Sequence, residues 1–174
     1  MRKILISILL FFFITIPSYS YSSEKIVYLD VEKIMQESIA GKSIIAQLKK
    51  KRESSISKFK KKEKDIFDKE KKLIAQKNVL SKDEFESKIK ELRNEISNYQ
   101  KERNKTSNDI AKLRIKASTR LISKLTPILE EYAKKNSIRI IIQKKQIVMG
   151  TKEDDITKDI LELFNQKIKN IKLD

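Results

Sequence analysis

The chain has 174 residues, with 40 lysines and arginines against 24 aspartates and glutamates, and neither cysteine nor histidine. That length suits one domain, or one domain with an appendage. The missing residue types exclude disulfides, a thiolate or imidazole catalyst and an ordinary transition-metal site. Hydrophobic content of 39% beside 37% charged is low for a packed globule and normal for an exposed coiled coil.

Met1-Arg2-Lys3 is a short basic region, followed by an apolar run from Ile4 to Ile16 that is too short to span a bilayer comfortably. Pro17 and the small residues Ser18 and Ser20 then mark residues 1–20 as a secretory signal peptide, cut after Ser20 or after Ser22. An uncleaved anchor is the other reading of this stretch. Export makes the periplasm the expected compartment and rules against cytosolic nucleic acid as the target. With no cysteine after the leader, a lipid-anchored form is not expected.

Lys25 to Asp30 (KIVYLD) is rich in β-branched and aromatic residues and reads as a short strand. Val31, Ile34 and Met35 carry on into a short amphipathic helix that ends near Gly41. From Lys42 to Thr126 the chain has no glycine or proline for 85 residues, and nothing in it breaks a helix. One restart is legible. Ser81 and Glu84 fit a capping box, flanked by Leu80 and Phe85 as a hydrophobic staple. The stretch therefore reads as two long helices joined by a turn near Lys77–Leu80, an antiparallel arm of roughly 50–60 Å.

The second helix of the arm repeats Phe85, Ile89, Leu92, Ile96, Tyr99, Arg103, Thr106, Ile110, Leu113 and Ala117 at 4-3 spacing. This is a coiled-coil seam with a polar lapse at Arg103 and Thr106. The first helix is poorer. Ile45, Phe59, Ile66 and Leu73 keep one heptad position, but their companions Ser55, Lys62 and Lys69 are polar; Ile44, Leu48, Ile56, Phe67 and Ile74 broaden the stripe. So thin a seam leaves the arm easily bent. The arm also holds 26 basic and 12 acidic residues, a net charge of +14, whereas the flanking segments are neutral. Such a field draws anionic partners.

Beyond the arm, Leu121, Leu125, Ile128, Leu129 and Tyr132 form a broader face, with a kink or restart at Thr126-Pro127. Ile138–Gln143 reads as a second strand, Lys144-Lys145 as a turn and Gln146–Met149 as a third strand. After Glu153-Asp154-Asp155, a helix start, one last helix carries Ile156, Ile160, Leu163, Phe164, Ile168 and Ile171 on one face. The fold class is α+β, mostly helical. Residues 21–41 and 127–174 are expected to form a small β-barrel-like oligomerisation body, and 42–126 the helical-hairpin arm. Strand edges left open in one copy predict a homo-oligomer.

Little chemistry is visible. Gly41-Lys42-Ser43 imitates the end of a P-loop, but the motif's first glycine would fall on Gln36. Asp154-Asp155 suits a helix cap better than a metal. No cofactor, catalytic residue or metal ligand is expected.

Two stretches resemble the Skp/OmpH family of periplasmic chaperones for outer-membrane proteins. They are KIVYLDVEKIMQESIAGKSIIAQL (Lys25–Leu48) and the segment Pro127–Phe164, with PILEEYAKKNSIRIIIQ and DDITKDILELF. The resemblance implies a homotrimer with a small β-barrel body and three arms enclosing a cavity for unfolded clients, working without ATP. Arg139 in the Ile-rich strand and Lys144-Lys145 depart from the family pattern without threatening the fold. Contact with anionic lipid or lipopolysaccharide would suit the charge, but no family motif for it aligns here.

The leading function is thus an ATP-independent holdase for unfolded outer-membrane proteins, and the enzyme class is excluded. Candidate client-binding residues are Phe59, Phe67, Ile74, Val79 and Leu80, apolar side chains beyond the needs of a thin seam. The alternative for each is a place in the arm's own core. A structural coiled-coil tether of the cell envelope is the competing function; it predicts a retained anchor and tight arms. Nucleic-acid binding would rest on charge alone, and four aromatics in the basic stretch are few for base stacking.

Overall fold

The computed structural model describes residues 25–173, so the expected signal peptide lies outside the described residues. Strand β1 (Lys25–Leu29) leads into helix α1 (Val31–Glu37), helix α2 (Ile39–Ala75) and helix α3 (Lys82–Lys135). Strand β2 (Ile138–Gln143) and helix α4 (Thr157–Lys167) follow. The architecture is mostly helical, a long α2–α3 hairpin standing on a small two-stranded parallel sheet.

The sheet pairs the two ends of the hairpin. Val27 lies opposite Ile141 and Leu29 opposite Gln143, with an irregularity between Lys25 and Ile26. Alternation puts Val27 and Leu29 into the core and leaves Ile26 exposed. Ser137 makes the sharp exit from α3 into β2 at a φ of 52°, and its carbonyl accepts from the Lys25 amide at 3.1 Å. The third strand expected at Gln146–Met149 is not formed among the described residues. Lys144–Gln146 curls into a 3-10 turn, and Val148 and Met149 stand fully exposed with no strand beside them. This loop is pinned at its flanks, where the Tyr28 hydroxyl donates to the Thr151 carbonyl at 2.9 Å and Lys144 lies 3.4 Å from Asp155. A barrel-like body is therefore not present within one chain.

The corner between α1 and α2 is tight. Asp30 caps α1, accepting from the Lys33 amide at 2.9 Å. Ser38, fully buried, caps α2 by accepting from the Gly41 amide at 2.9 Å. The arm helix thus begins at Ile39, with Gly41 in its first turn rather than at the end of α1. Asn165 of α4 accepts from the Ile39 amide at 2.8 Å, satisfying another of the donors that a helix start leaves open.

Pro127 does not break α3, which runs on to Lys135. The proline is exposed, and the hydroxyl of its neighbour Thr126 donates to the Ile122 carbonyl, one turn back, at 2.9 Å. The final acidic cluster likewise does not start α4. Lys152–Asp154 forms a 3-10 turn and Ile156 takes the N-cap position, its amide donating to the Tyr28 carbonyl at 3.0 Å. Asp155 instead accepts from the Thr157 amide at 3.0 Å. Burial alone would raise its pKa, but the bonds from Thr157 and Lys144 outweigh burial and hold it below the usual value.

One core gathers around the root of the hairpin. Leu29, Ile34, Ile44, Leu121, Leu125, Ile160 and Phe164 are completely enclosed, each stabilising the fold by roughly 1.5–3 kcal/mol. Every element except the far part of the arm contributes to it.

Candidate functional site

The arm is where the chain departs most from a packed globule, and its construction decides which side chains remain available. From Phe85 to Ala117 the second-helix seam is as the spacing predicts, half-buried or buried at every apolar position. The capping box is formed in both directions, with Ser81 accepting from the Glu84 amide and the Glu84 carboxylate accepting from the Ser81 amide at 3.2 Å. The Ser81 hydroxyl, donating to Glu84 Oε2 at 2.7 Å, and then the Ser81 amide hold the Glu84 carboxyl below its ordinary pKa.

On α2 the seam runs through Ile44, Leu48, Ser55, Phe59, Lys62, Ile66 and Leu73, whereas Ile45 points to solvent. The polar companions are not idle. Lys69 donates to Glu95 at 2.6 Å, and Lys58 and Lys62 both donate to Glu102, the former at 2.6 Å. The polar lapse at Arg103 is explained by this clasp, since its neighbour Glu102 takes the inward position and Arg103 stays exposed. Hydrogen bonds from Lys58 and Lys62 drive the Glu102 carboxyl down to about 2. Lys62, Lys69, Glu95, Tyr99 and Glu102 line an open cleft between the two helices. Sequence reading missed these rungs, although the facing Lys62/Lys69 column and Glu95/Glu102, seven apart, were there to be matched.

The five candidate residues separate cleanly. Phe59 is only 9% exposed and packs edge-to-face on Tyr99, ring centroids 5.9 Å apart, so it fills the arm's own seam. Phe67, Ile74 and Val79 are 61%, 66% and 83% exposed, and Leu80 is half-buried beside the turn. Ile56 is exposed too, and 3.6-residue periodicity places Ile56, Phe67 and Ile74 on one stripe of α2. Ile115 and Ile122 add exposed apolar groups on α3. Ile115 was legible from sequence as an isoleucine lying off the 4-3 seam.

The arm thus combines a cationic surface with open apolar side chains and a seam part apolar, part ionic. A comparison with protein families matches residues 25–164 to OmpH, outer membrane protein (OmpH-like). The chain belongs to the OmpH-like family. The OmpH/Skp family consists of periplasmic, non-enzymatic chaperones for outer-membrane proteins. An OmpH-like protein from Caulobacter crescentus CB15, assigned as an outer membrane chaperone, has the same fold in its crystal structure. It superposes with a TM-score of 0.80 at 16% identity, over 87% of this chain and 89% of that one. No curated protein matches the sequence. The family match begins at residue 25, just past the expected leader, and among the described residues no helix is long and apolar enough to cross a membrane.

Proposed function

We propose that this OmpH-like chain is an ATP-independent periplasmic holdase, exported with cleavage of residues 1–20, that keeps unfolded outer-membrane proteins from aggregating. The observation that carries the reading is the apolar stripe of Ile56, Phe67 and Ile74, with Val79 exposed in the turn beyond it, left open on an arm of net charge +14. Unfolded barrel precursors expose apolar strands that associate with one another. A flexible cationic surface with scattered apolar groups holds such chains weakly and without sequence preference, and mass action then favours the unfolded client.

In this reading residues 21–41 and 127–174 form the oligomerisation body and 42–126 the arm. Both edges of the two-stranded sheet, together with exposed Ile26, Ile140, Val148 and Met149, would be covered where three bodies close into a barrel-like base. The arms of the homotrimer then enclose a cavity whose lining includes Phe67, Ile74, Val79 and Leu80. Charge sets the capture rate and apolar contact the residence time.

Stopped-flow binding of a urea-unfolded outer-membrane protein, without nucleotide, tests the reading. High salt shortens the Debye length to ~3 Å at 1 M and should slow association several-fold with little change in dissociation; Phe67→Ser/Val79→Ser should do the reverse. An exported protein that retains residues 1–20 by intact mass and fails to suppress client aggregation would favour the envelope tether instead.

A further inference from the structure

Past α4 the chain runs on through residues 168–173 without regular secondary structure, yet it is bonded along its length to the root of the arm. The side-chain amide of Gln47 on α2 grips it twice. Nε2 donates to the Ile171 carbonyl at 2.8 Å, and Oε1 accepts from the Leu173 amide at 2.9 Å. The Ser43 hydroxyl donates to Asn170 Oδ1 at 2.7 Å, and the guanidinium of Arg120, on α3, donates to the Lys172 carbonyl. Ile171 is buried in the same cluster as Ile44, Ala117 and Leu121, with Ile168 and Leu173 packed against that cluster. Lys169, Asn170 and Lys172 face water.

The pattern at Gln47 has a specific meaning. A carbonyl and the amide two residues further on are the pair of groups that one residue of a neighbouring parallel strand engages. Gln47 therefore offers a strand-like partner built from a side chain, itself steadied by contacts of 3.3 Å to the carbonyl and hydroxyl of Ser43. Such a partner reads main chain and is indifferent to sequence. Selectivity comes only from residues i and i+2, which share one face of an extended chain and here meet the apolar core. Alternating apolar and polar residues in an extended segment are the pattern carried by the strands of membrane barrels.

The segment also lies beyond residue 164, where the family match ends. A terminal segment anchored by one buried side chain, Ile171, opens at lower cost than the helices of the core. We propose that the groove at the root of α2 and α3 is a peptide-binding site, occupied in the resting chain by its own residues 168–173. It is surrendered to an extended client segment of alternating apolar and polar residues. This deepens the holdase reading and rests on it. A tethered occupant competes at an effective concentration on the order of mM, so a dilute peptide loses to it. A client already held between the arms is concentrated to a similar degree, and the exchange becomes nearly balanced. The groove is then filled after capture and prolongs retention.

Two measurements test the proposal. The chain has no cysteine, so Ser43→Cys with Asn170→Cys permits the strap to be locked in the full-length protein by oxidation. Locked protein should capture an unfolded outer-membrane protein at the unlocked rate but release it several-fold faster, with reduction restoring retention. Separately, a chain ending at Lys167, checked for folding by circular dichroism, should bind a fluorescein-labelled peptide copying residues 167–173, which the full chain does not bind. Gln47→Ala in the shortened chain should weaken that binding about tenfold. Equal release in both redox states, or a folded shortened chain that ignores the peptide, overturns the proposal. Absence of client capture in either redox state would count against the holdase reading instead, and peptide binding then decides the groove by itself.

Discussion

An alanine at Gly41 sets two effects against each other, and their sizes predict the sign. In an exposed helix, glycine to alanine stabilises by about 1 kcal/mol. Here the added Cβ would lie 2.0 Å from the Met35 carbonyl oxygen, 2.7 Å from its carbon and 2.8 Å from Ser38 Oγ. The first two are main-chain atoms, so relief requires α1 to move away from α2 rather than a rotamer to turn. That movement opens the Ser38–Gly41 cap, whose loss costs roughly 1 kcal/mol, and strains a packed corner, typically by about 1–3 kcal/mol. The net expectation is a destabilisation of roughly 1–3 kcal/mol once the propensity gain is subtracted. Urea unfolding followed by far-UV circular dichroism reads it as a lower midpoint at unchanged slope. Gly150→Ala is the comparator, because its Cβ would meet the Tyr28 ring edge at 2.9 Å, and a side chain can yield; its loss should be smaller. A Gly41→Ala protein as stable as the parent, or more so, would refute the reasoning.

Phe59→Ala should cost roughly 2–4 kcal/mol locally and speed amide exchange through the middle of the arm, whereas Phe67→Ala should leave exchange unchanged; hydrogen-exchange mass spectrometry separates them. Glu102 is held at about 2, below its ordinary 4.5, so its contribution is complete above pH 4.5 and lost as pH falls towards 2. Amide exchange near the clasp should accelerate in that window and not in Glu102→Gln, and a carboxyl titrating by NMR near 4.5 would count against the clasp. Tyr132, raised to about 12 by burial and then by its bond to Asp159, has the opposite sign. Its contribution is complete below pH 10 and lost between 10 and 12, and spectrophotometric titration should show a late phenol that Tyr132→Phe removes.

The parts of this fold legible in the sequence are those governed by local rules. The capping box at Ser81 and Glu84 needs only neighbours within one turn, and the seam from Phe85 to Ala117 needs only a period. What escaped depended on partners far along the chain. Gln146–Met149 has the composition of a strand, but a strand requires a partner along its length; the 3-10 turn at Lys144–Gln146 follows β2 directly, and the far side of β1 takes only a single bridge, to Asp155. Ile44 rather than Ile45 faces inward because Ser38 fixes where α2 begins, and Ser38 is recognisable as a cap only once its burial beneath the corner is known. Among the candidate residues, heptad position alone distinguished seam from surface. Phe59 keeps the register of Ile66 and Leu73, while Phe67 falls one residue out of it and is left open.

The direct pairing of β1 with β2 has a kinetic consequence. Val27 and its partner Ile141 are separated by the whole arm, and such contacts are slow to form when an open chain must search for them. The hairpin removes the search. Once the turn at Ser81 nucleates and the helices zip towards the root, the two strands are delivered side by side as the closing step. The arm should therefore gain protection before the body does, and a break in the middle of its zipper, at Phe59 or Glu102, should slow assembly of strands that neither residue touches.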